Sequence, residues 1–387
     1  MLLYYIPILL CFLSAISREL SDNDRWYWFM GIILCVFYCF GYMTGTDWRV
    51  YEDLYNTLDF NHLFYEYKSE PGYYLYMLPF RFLGIGFWPF FIFTKSMLFV
   101  LIYRTMFEYC RDSKYLSLMY FFPWFGMYLF IDNPMRNLIA IGIFIVSFRY
   151  VIEKNFWKFF FLMLLAASFH FSALIIIFSY PILTRNIKTW IYVVSFILIN
   201  ILFMDREFLV SIITSVFGMI PYLQNKIITY ILLDSVFAQG KALSVGMLWQ
   251  TMLFVLLLVY KERIIKQFNN DSGIFVYNAS MCFLLLMRFA MSIEMFVRLQ
   301  LYFSVFFSIA VGLVILSFNY KSRLLFVSLL FLMSVYVCTE KITKSSRYVP
   351  YSNCIEYVLI GDYPSYSKRF MYNIKNSPYT NEIDFEQ

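Results

Sequence analysis

Six polar residues, Asp47, Glu70, Arg136, His170, Arg288 and Arg298, interrupt a chain that is otherwise strongly apolar. Their types point to transfer chemistry on a phosphorylated substrate. Asp47 sits in GTDWRVY and Glu70 precedes Pro71-Gly72. A carboxylate in a partly apolar cleft has a raised pKa and can act as a general base. His170, in AASFHFSALIII, can serve as a base or as a donor to phosphate. Arg136 follows the break Asp132-Asn133-Pro134-Met135 and opens an apolar run. Pro134 suits a helix start, whose free N–H groups favour an anion, and a guanidinium beside them offers phosphate a fork of donors. Arg298 opens RLQLYFSVFFSIA, with Arg288 at the end of the preceding apolar run.

Plainer readings stand beside these. Asp132 and Arg136 can form a local pair, and Arg288 can snorkel at a helix end. Asp47 and Glu70 can be solvated acids or helix caps in a loop that also holds Glu52, Asp53, Asp59 and Glu66. His170 can be a satisfied structural histidine. Lys95 falls inside an apolar run, where it must be hydrated or paired, and no role for it follows. The abundant Tyr residues, Tyr51, Tyr55, Tyr65, Tyr67, Tyr73 and Tyr74 among them, read as interfacial anchors first and as sugar-stacking surfaces second.

The elements that position these residues are membrane helices. Of 387 residues, 61% are hydrophobic and only 14% charged, more apolar surface than a soluble domain of this length can hide. The net charge of +6 comes from Lys and Arg scattered through short loops, which excludes a nucleic-acid surface. With no Cys-x-x-Cys and only His62 and His170, no metal site is expected. Apolar runs place spans near 2–16, 26–43, 87–103, 115–131, 136–151, 156–169, 171–183, 190–204, 243–260, 273–290, 300–318 and 323–338, an all-α bundle of about twelve spans. Segment 72–84 is short and holds Pro79 and Arg81, so it reads as an interfacial or re-entrant half-helix. The first 338 residues form one transmembrane domain, with outer loops at 44–86 and 205–242 that would set substrate choice, and 339–387 form an outer tail.

Charge gives the orientation. Connections 17–25, 104–114, 149–158, 184–189, 261–272 and 319–323 carry 15 Lys/Arg in 53 residues, and the alternate connections are poorer. By the positive-inside rule the first set is cytoplasmic, so the six polar residues converge outside. Segment 156–183 decides the count. One continuous helix would be about 42 Å long and would reverse every later connection. Two short helices meeting near residues 167–172 keep the alternation and place His170 at a tip inside a protein-lined cavity.

The order GTDWRVY, EPGYYLY, NPMRNLIAIGIF, AASFHFSALIII and RLQLYF, across roughly residues 40–320, resembles the EpsG-like branch of Wzy-type polysaccharide polymerases. The Ala-x-x-Phe-His-x-Ser-Ala block matches through Ala167, His170, Ser172 and Ala173, and the Arg-Leu-x-Leu-Tyr-Phe block through Arg298, Leu299, Leu301, Tyr302 and Phe303. The family's usual Arg-Gln is here Arg136-Asn137, which keeps the arginine. The resemblance implies a GT-C-like helical enzyme of the bacterial inner membrane. Such an enzyme joins undecaprenyl-pyrophosphate-linked oligosaccharides at the outer face, with no nucleotide-sugar, metal or other cofactor. O-antigen, capsule and exopolysaccharide remain open as products, and a chain-length regulator protein is an expected partner.

On that expectation Asp47, Glu70 or His170 takes a proton from an acceptor-sugar hydroxyl, and Arg136, Arg298 and Arg288 hold the pyrophosphate. A ligase or another lipid-carrier-dependent glycosyltransferase shares the donor chemistry and differs in product. A flippase or transporter is the alternative outside enzymology, since charges within a membrane also mark transport paths; no internal repeat supports it. A membrane acyltransferase fits less well, because His170 has no acidic partner close in sequence.

Overall fold

The computed structural model describes residues 2–58, 70–203, 208, 211–212, 214–215, 244–268, 270–345, 347–361 and 363–372. His62, Asp59, Glu66, Tyr65 and Tyr67 of the loop 44–86, and most of the loop 205–242, lie outside the described residues. Among the described residues every regular element is helical, as the long apolar runs require. Five helices among the described residues are long and apolar enough to cross a membrane: Phe87–Tyr109, Met135–Ile152, Asp271–Ser292, Met295–Leu316 and Tyr320–Lys344. Val245–Val259 and Lys261–Gln267, bent by 70° at their junction, make a sixth if taken as one span. The chain is thus a multi-pass membrane protein.

The expectation of twelve spans counted segments that form shorter helices. Leu2–Ile16, Phe156–Phe169, Ala173–Thr184 and Thr189–Leu202 are apolar but have 10–17 residues each. At about 1.5 Å per residue, fourteen residues cover roughly 21 Å of a hydrocarbon core about 30 Å thick. The expected half-helix is present as Pro71–Phe82, with Pro71 in its first turn.

Segment 115–131 is not a plain helix. After Lys114–Phe121 the ladder widens into π turns over Phe122–Gly126 and Tyr128–Asp132. Pro123 supplies the local cause, since it cannot donate to the helix ladder. The buried Lys95 and the half-buried Lys341 take up carbonyls along this stretch. Lys341 Nζ donates to the Pro123 and Trp124 oxygens at 3.0 and 2.8 Å. Lys95 Nζ donates to the Phe130 oxygen at 3.4 Å and lies 4.7 Å from the Phe91 ring centre. Lys95 thereby gains the structural role the sequence left unassigned, an ammonium paired with backbone dipoles.

The chain divides into two compact units. One comprises residues 1–146, 164–171 and 315–387, the other 147–163 and 172–314. In the first unit the tail folds back onto the chain. After Lys344 it pairs with the segment following Asp24–Cys39: Gly45 N–H donates to the Arg347 oxygen at 2.8 Å, Tyr42 N–H to the Ser352 oxygen at 3.0 Å, and Cys354 N–H to the Phe40 oxygen at 2.8 Å. The Tyr348 hydroxyl donates to the buried Asp132 carboxylate, and Arg369 pairs with Glu52 in the helix Trp48–Thr57. Gly45 has φ +88°, and a Cβ there would lie 1.9 Å from the Ile131 oxygen. Only glycine lets the GTDW turn lie flat on the loop that leads to Arg136. In the second unit Asn278 is the polar node. It accepts from the Tyr192 hydroxyl at 2.7 Å and donates to the Ile182 and Arg185 oxygens at 2.6 and 2.7 Å.

Candidate functional site

Three helix ends in the first unit carry the candidate site. Glu70 immediately precedes the half-helix Pro71–Phe82. His170 follows the helix Phe156–Phe169, its N–H closing the last turn onto the Ala166 oxygen at 2.9 Å. The chain then turns before Ala173–Ile177, so the 156–183 segment breaks where the charge pattern placed the break. Arg136 is in the first turn of Met135–Ile152, after Asn133 takes the left-handed conformation (φ 65°) that lets the chain reverse.

The half-helix reaches His170 because residue 72 has no side chain. A Cβ on Gly72 would lie 2.2 Å from Ser168 Oγ and 2.9 Å from the Ser168 carbonyl carbon. Gly72→Ala therefore forces the half-helix off the end of Phe156–Phe169 and parts Glu70 from His170. The expected outcome is activity reduced at least tenfold with the protein still inserted at normal levels. Unchanged activity in membranes carrying the variant would show that this close packing is dispensable.

Glu70 is the hub. Its Oε1 accepts from His170 Nδ1 at 3.1 Å and from the Phe171 N–H at 3.2 Å, and its Oε2 accepts from Arg136 Nη1 at 2.9 Å. Arg136 Nη2 donates to the Tyr74 hydroxyl at 3.3 Å. The guanidinium carbon lies 5.8, 5.6 and 5.5 Å from the ring centres of Tyr51, Tyr73 and Tyr74, within cation–π range. Arg136 Nε is buried without a hydrogen-bond partner, so one donor of the fork is unspent.

The electrostatics of Glu70 reverse the sequence expectation. Burial alone pushes its carboxyl up, as a base in an apolar cleft requires. Hydrogen bonds and charge from His170 and Arg136 outweigh burial and hold it at about 2. An anion held that firmly is a poor proton acceptor and a good anchor. Because an ionised carboxylate only accepts, His170 Nδ1 is the donor in their bond, which leaves Nε2 as the ring nitrogen not bonded to Glu70.

The other expected site residues are placed differently. Asp47 precedes the helix Trp48–Thr57; its N–H donates to the Asp132 oxygen at 3.4 Å, and its Oδ1 accepts from Thr46 Oγ1 at 3.2 Å. It is not among the groups bonded to Glu70. Arg288 and Arg298 belong to the second unit. Arg288 is buried, with Nε donating to the Phe203 oxygen at 3.0 Å. Arg298 lies in the last turn of Glu294–Gln300, just before Tyr302, whose hydroxyl shares a 3.2 Å hydrogen bond with Ser172.

Sequence reasoning missed two things here. Glu70 and His170 are 100 residues apart, so the acidic partner that His170 lacked locally comes from another element. The tyrosines around Arg136 read as interfacial anchors, although Tyr73 and Tyr74 directly follow the Glu70-Pro71-Gly72 turn and share the first turn of its half-helix. Among the described residues no group of three or more His, Cys, Asp or Glu is placed to hold a metal ion.

The family model of the EpsG family matches residues 24–357, a range that takes in all five sequence motifs. No curated protein and no solved structure matches the chain.

Proposed function

Because the chain belongs to the EpsG family, a family of Wzy-like polysaccharide polymerases, we propose that it joins oligosaccharide repeat units carried on undecaprenyl pyrophosphate. The product is O-antigen, capsule or exopolysaccharide, made at the outer face of the bacterial inner membrane. The orientation rests on the basic connections, which the positive-inside rule assigns to the cytoplasm. About twelve spans in a GT-C-like bundle follow if each short apolar helix enters the membrane as part of a re-entrant or thinned segment.

The observation that carries this reading is one buried carboxylate bonded at once to a guanidinium and an imidazole. His170 Nε2 takes the proton of an acceptor-sugar hydroxyl, with Glu70 fixing the ring through Nδ1. The freed oxygen bonds to the anomeric carbon of the donor chain as the bond from that carbon to the phosphate oxygen breaks. Undecaprenyl pyrophosphate leaves with the bonding pair. Arg136, through its unspent Nε and the face of its guanidinium, offsets the charge growing on the pyrophosphate. Arg298 and Arg288 are proposed as further pyrophosphate contacts. Asp47 shapes a helix start in this scheme and carries no proton.

A deletion strain tests the reading. It should lose the ladder of long surface glycans and retain lipid-linked single repeat units in the outer leaflet. Units trapped in the inner leaflet would indicate a flippase instead, and an unchanged ladder would discard the polymerase.

A further inference from the structure

A second polar feature lies away from Glu70, in a crevice of about 230 Å³ in the first unit. It sits where three apolar stretches end or begin, at Ile16, at Ser113 and at Tyr320. In a multi-pass protein the ends of such helices lie at the membrane–water interface. The crevice is below the roughly 300–1,000 Å³ of sites for whole drug-sized molecules, so it suits a compact headgroup whose remainder stays outside.

Its lining carries four charged residues, Arg18, Arg323, Asp22 and Asp112, two of each sign, with Leu316 and Val327 on the apolar wall. Ile16 and Leu324, also at the crevice, are about half exposed, at 48% and 50%, as lipid-facing side chains would be. Arg323 spends Nη2 on the Leu316 and Phe318 oxygens at 2.8 and 3.1 Å, while its buried Nε has no hydrogen-bond partner. A buried N–H left unpaired is costly, and a phosphate oxygen would satisfy it.

The charge pattern selects among lipids. A purely anionic headgroup meets as many carboxylates as guanidiniums. A zwitterion matches both signs, and a primary ammonium gives carboxylates the N–H donors that a trimethylammonium lacks. We propose that this crevice binds the headgroup of a zwitterionic aminophospholipid, its phosphate toward Arg18 and Arg323 and its ammonium toward Asp22 and Asp112. The chains then lie along the apolar wall. This assignment depends only on the chain crossing the membrane and is independent of the Glu70 site.

Full-length protein in bilayers of equal phosphatidylethanolamine, phosphatidylcholine and phosphatidylglycerol, released gently and weighed with its retained lipids by native mass spectrometry, tests it. Phosphatidylethanolamine should be retained about tenfold over the other two, the ratio one charge-assisted hydrogen bond supplies. The double variant Asp22→Asn, Asp112→Asn should erase its advantage over phosphatidylcholine, and Arg18→Gln should lower retention of all three. Asp22, Asp112 and Arg18 are exposed, so these variants keep the fold, which an unchanged melting curve checks. Equal retention of the three lipids by the wild type, or an undiminished preference in the double variant, would overturn the proposal.

Discussion

Arg136→Ala should remove long glycan chains and leave single capped repeat units. Among the described residues the guanidinium and the His170 ring are the side chains bonded to Glu70, and the guanidinium carries an unspent Nε. Loss of one preorganised donor to a developing anion typically costs about 2.7–4 kcal/mol, or 10²–10³ in rate. The protein persists because Glu70 keeps His170 and the Phe171 N–H as partners, so its charge is not abandoned in an apolar setting. Arg136→Lys should recover activity only in part. One ammonium cannot both hold Glu70 and present parallel bonds to a diphosphate, and it stacks less well among Tyr51, Tyr73 and Tyr74. Glycan ladders resolved on gels, normalised to protein in the membrane, measure this. Full recovery with lysine would reduce Arg136 to a point charge.

Glu70→Gln should be the more damaging change. The amide keeps the size of the side chain but removes the anion that fixes His170 Nδ1 as donor. An amide can donate to that nitrogen instead, which would put the proton on Nε2 and leave no base facing the substrate. In serine proteases the equivalent loss of an orienting carboxylate costs about 10⁴ in turnover. His170→Gln should fall to a similar floor, and the double variant should be no worse than either single change, since the two act as one unit. Additive losses would separate their roles.

The pH dependence has a definite sign. The Glu70 carboxyl is depressed from 4.5 to about 2 in the folded protein. Its ionised form therefore stabilises the fold fully above the unfolded value of 4.5, and that contribution fades as the pH falls from there toward about 2. Melting temperature in detergent should show this acid loss in the wild type and a weaker one in Glu70→Gln.

The membrane class was legible because it depends on composition and run length, and the break at His170 because charge alternation is a property of the whole chain. The proximity of Glu70, Arg136 and His170 was legible only as a shared side of the membrane. Their bonding depends on Gly72 meeting Ser168, a contact between helix ends that no local period encodes. The span count was not legible from hydropathy alone, because hydropathy does not measure helix length. Thr189–Leu202 is as apolar as a span, yet a turn or more short of the hydrocarbon core. The carboxylate pKa was expected on the wrong side of normal because the loop gives the burial of Glu70 but not its two cationic partners. The tail read as an appendage, since the backbone pairing of Arg347, Ser352 and Cys354 with residues 40–45 leaves no mark on side-chain pattern.

The most direct test is reconstitution of the purified protein in liposomes with undecaprenyl-pyrophosphate-linked repeat units as the only substrate. A ladder of repeats with one undecaprenyl pyrophosphate released per linkage, absent in Glu70→Gln and Arg136→Ala, is the predicted result. Intact single units with the wild type, or a ladder undiminished in both variants, would contradict it.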